Sequence, residues 1–228
     1  MADPTTDPTD LADTSPTRLI LIRHGESQVT VGQIVGGPKA CTGLSDLGRQ
    51  QAQRLRDRFA AGHEPAIDDL WSSTMPRAVE TAQIINETLG LEHHQEKELE
   101  EWRPGDADGM TWDEARATWP AADGLSGNPF VAWAPGAESR QDFHLRAGQA
   151  LDAFLRDHEG RSVILVCHGG VIDVAFRLLT RQRTAGDFHL WTLNTSLTEF
   201  IRKPGDDGLW QLSRYNDTAH LAGLPDAT

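Results

Sequence analysis

Cysteine, long apolar runs and positive charge are all scarce in this chain of 228 residues, and each shortage excludes something. Cys41 and Cys167 are its only cysteines, too few for a disulfide framework, so a reducing cytoplasm is the expected compartment. Cys167 lies within an apolar run and reads as a small core residue. No apolar stretch approaches the ~20 residues that a membrane-spanning helix needs. The first residues carry Asp and Pro where a secretory leader would be basic and then apolar. Lys and Arg number 21 against 34 Asp and Glu, a formal net charge of −13, so the basic footprint of a nucleic-acid binder is missing. An anionic substrate would have to be drawn in by a local basic pocket against the overall field.

The length suits one domain, with room for an elaboration. Residues 1–17 alternate Asp, Thr, Pro and Ala with little to bury, which predicts a disordered acidic tail before a single domain over 18–228. Residues 18–23 read as a buried strand. A glycine-rich loop spans 33–43, and a helix follows with Ser45 as N-cap and Leu47, Ala52, Leu55 and Phe59 on one face. Ile67–Ser73 predicts a second strand, and Met75 to Leu89 a helix that stops at Gly90. Residues 91–137 are irregular, with a strand near 93–96, a helix near 112–118 and four of the seven tryptophans, read first as the core of a compact insertion. A long helix over 138–158, a strand at 162–167, a helix from 171 and two late strands (195–202 and 209–214) complete the pattern, and the last dozen residues read as extended or frayed. Strands alternating with helices predict a three-layer α/β/α architecture with a mostly parallel sheet.

Two of the strands end alike. Leu19–Ile22 runs into Arg23-His24-Gly25-Glu26-Ser27, and Val163–Cys167 runs into His168-Gly169-Gly170. Ligands of α/β sheets bind at such strand ends. His24 alone could be a base, a nucleophile, a metal ligand or a structural residue. Arg77 sits in the first turn of its helix, where a cation is disfavoured unless it faces an anion. Two arginines repel a divalent metal, whereas guanidinium forks match the oxygens of a tetrahedral dianion. The remaining histidines have no comparable context. His93 and His94 are adjacent on a strand, point to opposite faces, and read as surface residues.

Arg23-His24-Gly25-Glu26-Ser27 resembles the signature of the histidine phosphatase superfamily, the phosphoglycerate-mutase-like enzymes. Further motifs continue the resemblance in order over roughly residues 18–220. They are Leu44-Ser45-Asp46-Leu47-Gly48, Ser72-Ser73 through Arg77 with Glu80-Thr81-Ala82, Leu99-x-Glu101-x-x-x-Gly105-x-x-x-Gly109, Glu138-Ser139 with Arg146, Val166-x-His168-Gly169, and Asn216-Asp217-x-x-His220-Leu221.

The resemblance implies that His24 is a nucleophile forming a phosphohistidine. It implies that Arg23, Arg77 and His168 hold the phosphoryl group, and that Glu101 gives and then takes the proton. Glu98 and Glu100 lack the glycine spacing of Glu101 and read as a solvated charge run. Ser27, Thr30, Gly36, Gly37 and Gly169 complete the candidate phosphate- and substrate-binding set. No metal or cofactor is implied, and the expected partner is a small phosphate ester, with monomer and homodimer both open.

Thr30 stands where many members have Asn, and Gly36-Gly37 where mutases tend to have Thr-Gly. The 102–137 insertion, expected to supply a lid and pocket walls along with 28–43, has only Arg103 and Arg116 for a second anion. Hydrolysis is therefore expected ahead of a cofactor-dependent mutase. A non-catalytic phospho-ligand binding protein and a metallohydrolase come after these.

Overall fold

The computed structural model describes residues 15–120, 128–184, 188–205 and 207–225. Most of the acidic tail, part of the 102–137 insertion and residue 206 between the late strands therefore lie outside the described residues. Six strands form one sheet in the order β3-β2-β4-β1-β5-β6. β1 (Thr17–Arg23), β4 (Ser162–Cys167), β2 (Asp69–Ser73) and β3 (His93–Glu96) run parallel, while β5 (Leu197–Arg202) and β6 (Trp210–Asp217) add an antiparallel edge.

β1 and β4 are apolar over Leu19–Ile22 and Val163–Cys167 because those stretches are covered on both faces. Leu19 and Leu21 of β1 pack with Val163 and Leu165 against α5 (Arg140–Asp157) and α6 (Gly169–Thr180). Ile20 and Ile22, with Ile164 and Val166, face α2 (Asp46–Ala60) and α3 (Pro76–Leu89). That alternation makes the three layers. A smaller cluster holds the insertion together, with Trp133, Ala134, Ala107 and Val35 around Ala115 of α4 (Trp112–Thr118). Trp102 and Trp119 pack against it, so most of the tryptophans there serve as core.

Several boundaries differ from the expectations. β1 begins at Thr17, which is buried, pairs with Arg202 and accepts from Gly160 N at 2.9 Å through its hydroxyl. A one-turn helix, α1 (Gln28–Val31), precedes the glycine loop. β5 starts at Leu197 because Thr195 adopts a left-handed turn (φ 54°). The stretch expected to be extended or frayed after residue 216 makes a 3-10 turn over Ala219–Leu221, with Arg58 Nη2 bonded to Asp217 at 2.6 Å. Among the described residues, no helix is long and apolar enough to cross a membrane.

Candidate active site

The sheet order explains why two distant histidines meet. β1 and β4 are neighbours in parallel register, Arg23 opposite Cys167, so the next residues, His24 and His168, leave the sheet side by side. His24 N donates to Cys167 O at 2.9 Å, and the two rings lie 5.1 Å apart. β2 lies on the other side of β4, and the chain turns from it into α3, whose first turn brings Arg77 to His24.

The bonding of His24 fixes its tautomer. Nδ1 lies 2.7 Å from its neighbour's carbonyl, Gly25 O, so it carries the proton. Nε2 then holds the lone pair and accepts from Arg77 Nε at 3.0 Å. His168 is fully buried, with Nε2 2.7 Å from Ser73 Oγ and no partner for Nδ1 among the described residues. Burial first, then Arg77 and Arg23, push the His24 pKa well below the ordinary histidine value; burial, Arg77, His24, Arg23 and Arg146 do the same to His168. Both rings are therefore neutral at neutral pH.

The arginines complete a basic cage. Arg77 is buried and donates from NH1 to Gly36 O at 3.0 Å. Arg23 donates from Nη1 to Thr192 O, while its buried Nε has no partner among the described residues. Burial lowers the Arg23 pKa, Glu101 opposes this, and Arg77 adds to it. Glu101 accepts from Gly170 N at 3.1 Å and from Trp102 N at 3.0 Å, which holds its carboxylate beside the cage.

These groups open on a cleft of about 480 Å³ lined by Arg23, His24, Arg77, Glu101, Ser27, Thr30 and Gly36, with Gln33 and Ile34 after α1 and Trp112, Asp113 and Arg116 of α4. Ser27 Oγ and Thr30 Oγ1 are 2.9 Å apart. Three candidates sit elsewhere. His168 is fully buried beside His24, its ring 5.1 Å away, and does not line the cleft. Gly37 is turned toward Asp108, to which its N donates at 3.0 Å. Gly169 lines an adjoining cavity of about 460 Å³ that shares Arg23 as a wall and includes Trp102, Phe143 and Trp191.

The expected solvated charge run is corrected for Glu100. It is buried, accepts from Thr74 Oγ1 at 2.5 Å, and is bonded by Arg103 Nε at 3.2 Å, so only Glu98 of the two is exposed. His93 and His94 are half-buried rather than superficial, with His93 Nε2 2.9 Å from Ser72 Oγ and His94 against the Trp71 ring at 4.8 Å. His144 is buried as well.

Sequence reasoning missed the polar run Asn194-Thr195-Ser196, all buried. Asn194 Nδ2 donates to His24 O at 2.8 Å and Thr195 N to Arg23 O at 2.8 Å, so this run fixes the backbone that carries the cage. The available signal was a cluster of small polar residues directly before an apolar strand, facing no obvious turn.

Two arginines and two neutral histidines, gathered at the ends of β1 and β4 and on the first turn of α3, form an arrangement chemically suited to a phosphoryl group. Residues 19–218 match the model of the histidine phosphatase superfamily (branch 1), and the chain belongs to that family. It is 34% identical over 215 residues to phosphoglycerate mutase-like protein 4 of Arabidopsis thaliana, covering 93% of this chain and 90% of that protein. It is 30% identical over 220 residues to a glucosyl-3-phosphoglycerate phosphatase of Mycobacterium tuberculosis, covering 90% and 96%. Its backbone matches a variant phosphoserine phosphatase of Entamoeba histolytica, solved with phosphoserine, at a TM-score of 0.72 and 27% identity over 90% and 99% of the two chains. The protein is a phosphoric monoester hydrolase.

Proposed function

We propose that this hydrolase is a metal-independent, cytoplasmic phosphatase, one domain beginning at β1, that works through a phosphohistidine on His24 Nε2. The observation that carries the reading is the His24 tautomer: Nε2 keeps its lone pair on a neutral ring and points it at Arg77. A bound phosphoryl group would give the Arg77 guanidinium oxygens to bond instead, freeing Nε2 to attack phosphorus. The P–O bond to the leaving group breaks as the P–N bond forms, and Glu101 protonates the departing oxygen. In the second half-reaction Glu101 takes a proton from water, the water oxygen attacks phosphorus, and the P–N bond breaks to return neutral His24.

Arg23 and Arg77 neutralise charge as it develops, the part a metal would otherwise take, and His168 is a candidate further donor to the phosphoryl oxygens. Ser27, Thr30 and the Gly36 backbone line the phosphate side of the cleft. Both cysteines are free thiols, which supports the cytoplasmic assignment. Hydrolysis is favoured over mutase transfer because the cleft holds one further arginine, Arg116, and it is paired with Asp113 at 3.5 Å.

The test is phosphate release with EDTA present, between about pH 5 and 8. The substrates are p-nitrophenyl phosphate and a panel led by phosphoserine, glucosyl-3-phosphoglycerate and 3-phosphoglycerate. Turnover by the wild type and none by His24→Ala are expected. Conversion of 3-phosphoglycerate to 2-phosphoglycerate without phosphate release, or an active His24→Ala, would overturn the proposal.

A further inference from the structure

Glu101 sits on chain with no regular structure of its own, between the 3-10 turn at Lys97–Leu99 and the one at Gly105–Ala107. Something else must fix it. An acid that has to meet a leaving oxygen gains from being held in place before substrate arrives. The Glu138–Arg146 pair lies outside the cleft lining, yet nearly all of its polar atoms are used on the segment that carries Glu101.

Arg146 forks onto Glu138, Nε to Oε1 at 2.6 Å and NH2 to Oε2 at 2.7 Å, with both side chains largely buried. The remaining guanidinium hydrogens go to main-chain carbonyls: NH1 to Glu98 O at 2.7 Å and Glu100 O at 3.1 Å, and NH2 to Glu101 O at 3.2 Å. Glu138 answers from the other side. Its carboxylate accepts from Arg103 N at 3.0 Å, its carbonyl from Trp102 Nε1 at 2.6 Å, and its N donates to Arg103 O at 2.9 Å. Residues 98–103 are thus tied at every position except Leu99, which is buried in the core. The anchor is rigid, because Arg146 is on α5 and Glu138 directly precedes that helix, whose N-cap Ser139 and Asp142 form a capping box.

We propose that Glu138–Arg146 is a positioning pair for the proton donor. It holds the backbone of Glu101 while the N–H groups of Gly170 and Trp102 aim the carboxylate. This rests on the reading of Glu101 as the general acid, and the experiment separates the two. A displaced acid harms esters whose leaving oxygen needs a proton and spares those that leave as a stable anion, whereas a purely structural role would lower both alike.

The experiment compares kcat/KM for an alkyl ester, β-glycerophosphate, and an aryl ester, p-nitrophenyl phosphate. The proteins are the wild type, Glu101→Gln, Arg146→Met, Glu138→Gln, and Glu101→Gln combined with each of the other two. Arg146→Met is expected to lose about 10- to 100-fold on the alkyl ester and no more than about threefold on the aryl ester. Glu138→Gln should lose in the same ratio but less. Neither should add a loss on the alkyl ester once Glu101 is Gln, as residues acting through one group are non-additive. Equal losses on both esters, or additive losses in the double variants, would overturn the positioning role while leaving Glu101 as the acid. If Glu101→Gln itself shows no dependence on the leaving group, the acid assignment falls and the pair's role with it. Should Arg146→Met fail to fold, Glu138→Gln and its double variant carry the same comparison.

Discussion

A glycine inside a helix ordinarily weakens it, yet Gly48, near the start of α2, has no room for anything larger. A Cβ there would run into the Glu26 carbonyl, and one at Gly25 would meet Gly48 O at 2.6 Å. The two backbones touch, and this contact seats the loop after His24 on the first turn of α2. Gly48→Ala should therefore destabilise the protein by about 2–3 kcal/mol through overpacking against main chain. At an open helix position the same change would stabilise by about 1 kcal/mol. Urea unfolding decides the sign, and an unchanged or higher midpoint would refute the close approach. Gly48 was visible in the sequence as part of a motif, but its reason was not, since the reason exists only once residues 26 and 48 are adjacent. Glu100 is the converse case. Its carboxylate looked like surface charge because one of its partners, Thr74, lies 26 positions away on the turn after β2, although Arg103 is a near neighbour in sequence.

Helix ends do more here than stop and start secondary structure. Ser45 caps α2 by accepting from Gly48 N at 3.0 Å, and its hydroxyl donates to Glu26 Oε1 at 2.6 Å. One side chain thus joins the helix to the loop that follows His24. Ser45→Ala removes the cap and leaves the Glu26 carboxylate short of a donor, so a loss of about 1–2 kcal/mol in unfolding free energy is expected. A change under a few tenths would show that the cap contributes little. The elements most legible from sequence were those whose own composition determines them. The cores of β1 and β4 are apolar runs because both faces are covered, and α2 and α3 carry a one-sided stripe, with Ser45 capping the start of α2 and Gly90 the end of α3. α1 was not legible, because Gln-Val-Thr-Val has β-branched residues and only one turn, and packing of buried Val29 holds it. The Asn194–Ser196 turn escaped for a related reason. Asn194 Nδ2, Thr195 N and Ser196 O all bond the main chain of residues 23 and 24, a partner 170 positions away in the case of Asn194.

Taken as a whole, the molecule sets a surplus of acidic charge against a cage of arginines that keeps its histidines neutral, and that opposition gives stability a definite pH dependence. His24, His168 and His144 are all pulled below the ordinary histidine value, burial being the largest cause for each. His220, wedged between Thr195 and the Arg58–Asp217 pair, is lowered to about 4, again chiefly by burial, with Arg58 adding to it. In the unfolded chain these rings return to about 6.5. Below that value the unfolded state binds protons that the folded state refuses, so unfolding free energy falls as pH falls. Above it neither state binds them and the contribution is complete. Asp217, held down to about 2 by Arg58, acts in the same direction at lower pH, since its contribution is lost only as pH drops below the ordinary carboxylate range. Urea titrations should therefore show stability nearly flat above about pH 7 and declining through the range from about 6.5 to 4, each such histidine contributing at most about 1.4 kcal/mol per pH unit. His220→Gln is the informative variant, because it lies outside the cage and removes a single titrating ring. It should make the acid limb shallower by up to about that amount and leave the plateau above pH 7 with only the cost of one lost hydrogen bond. Stability that stays constant down to pH 5, or rises there, would mean that the cage admits protons, and a His24 that takes up a proton so readily would not serve the proposed attack on phosphorus in mild acid.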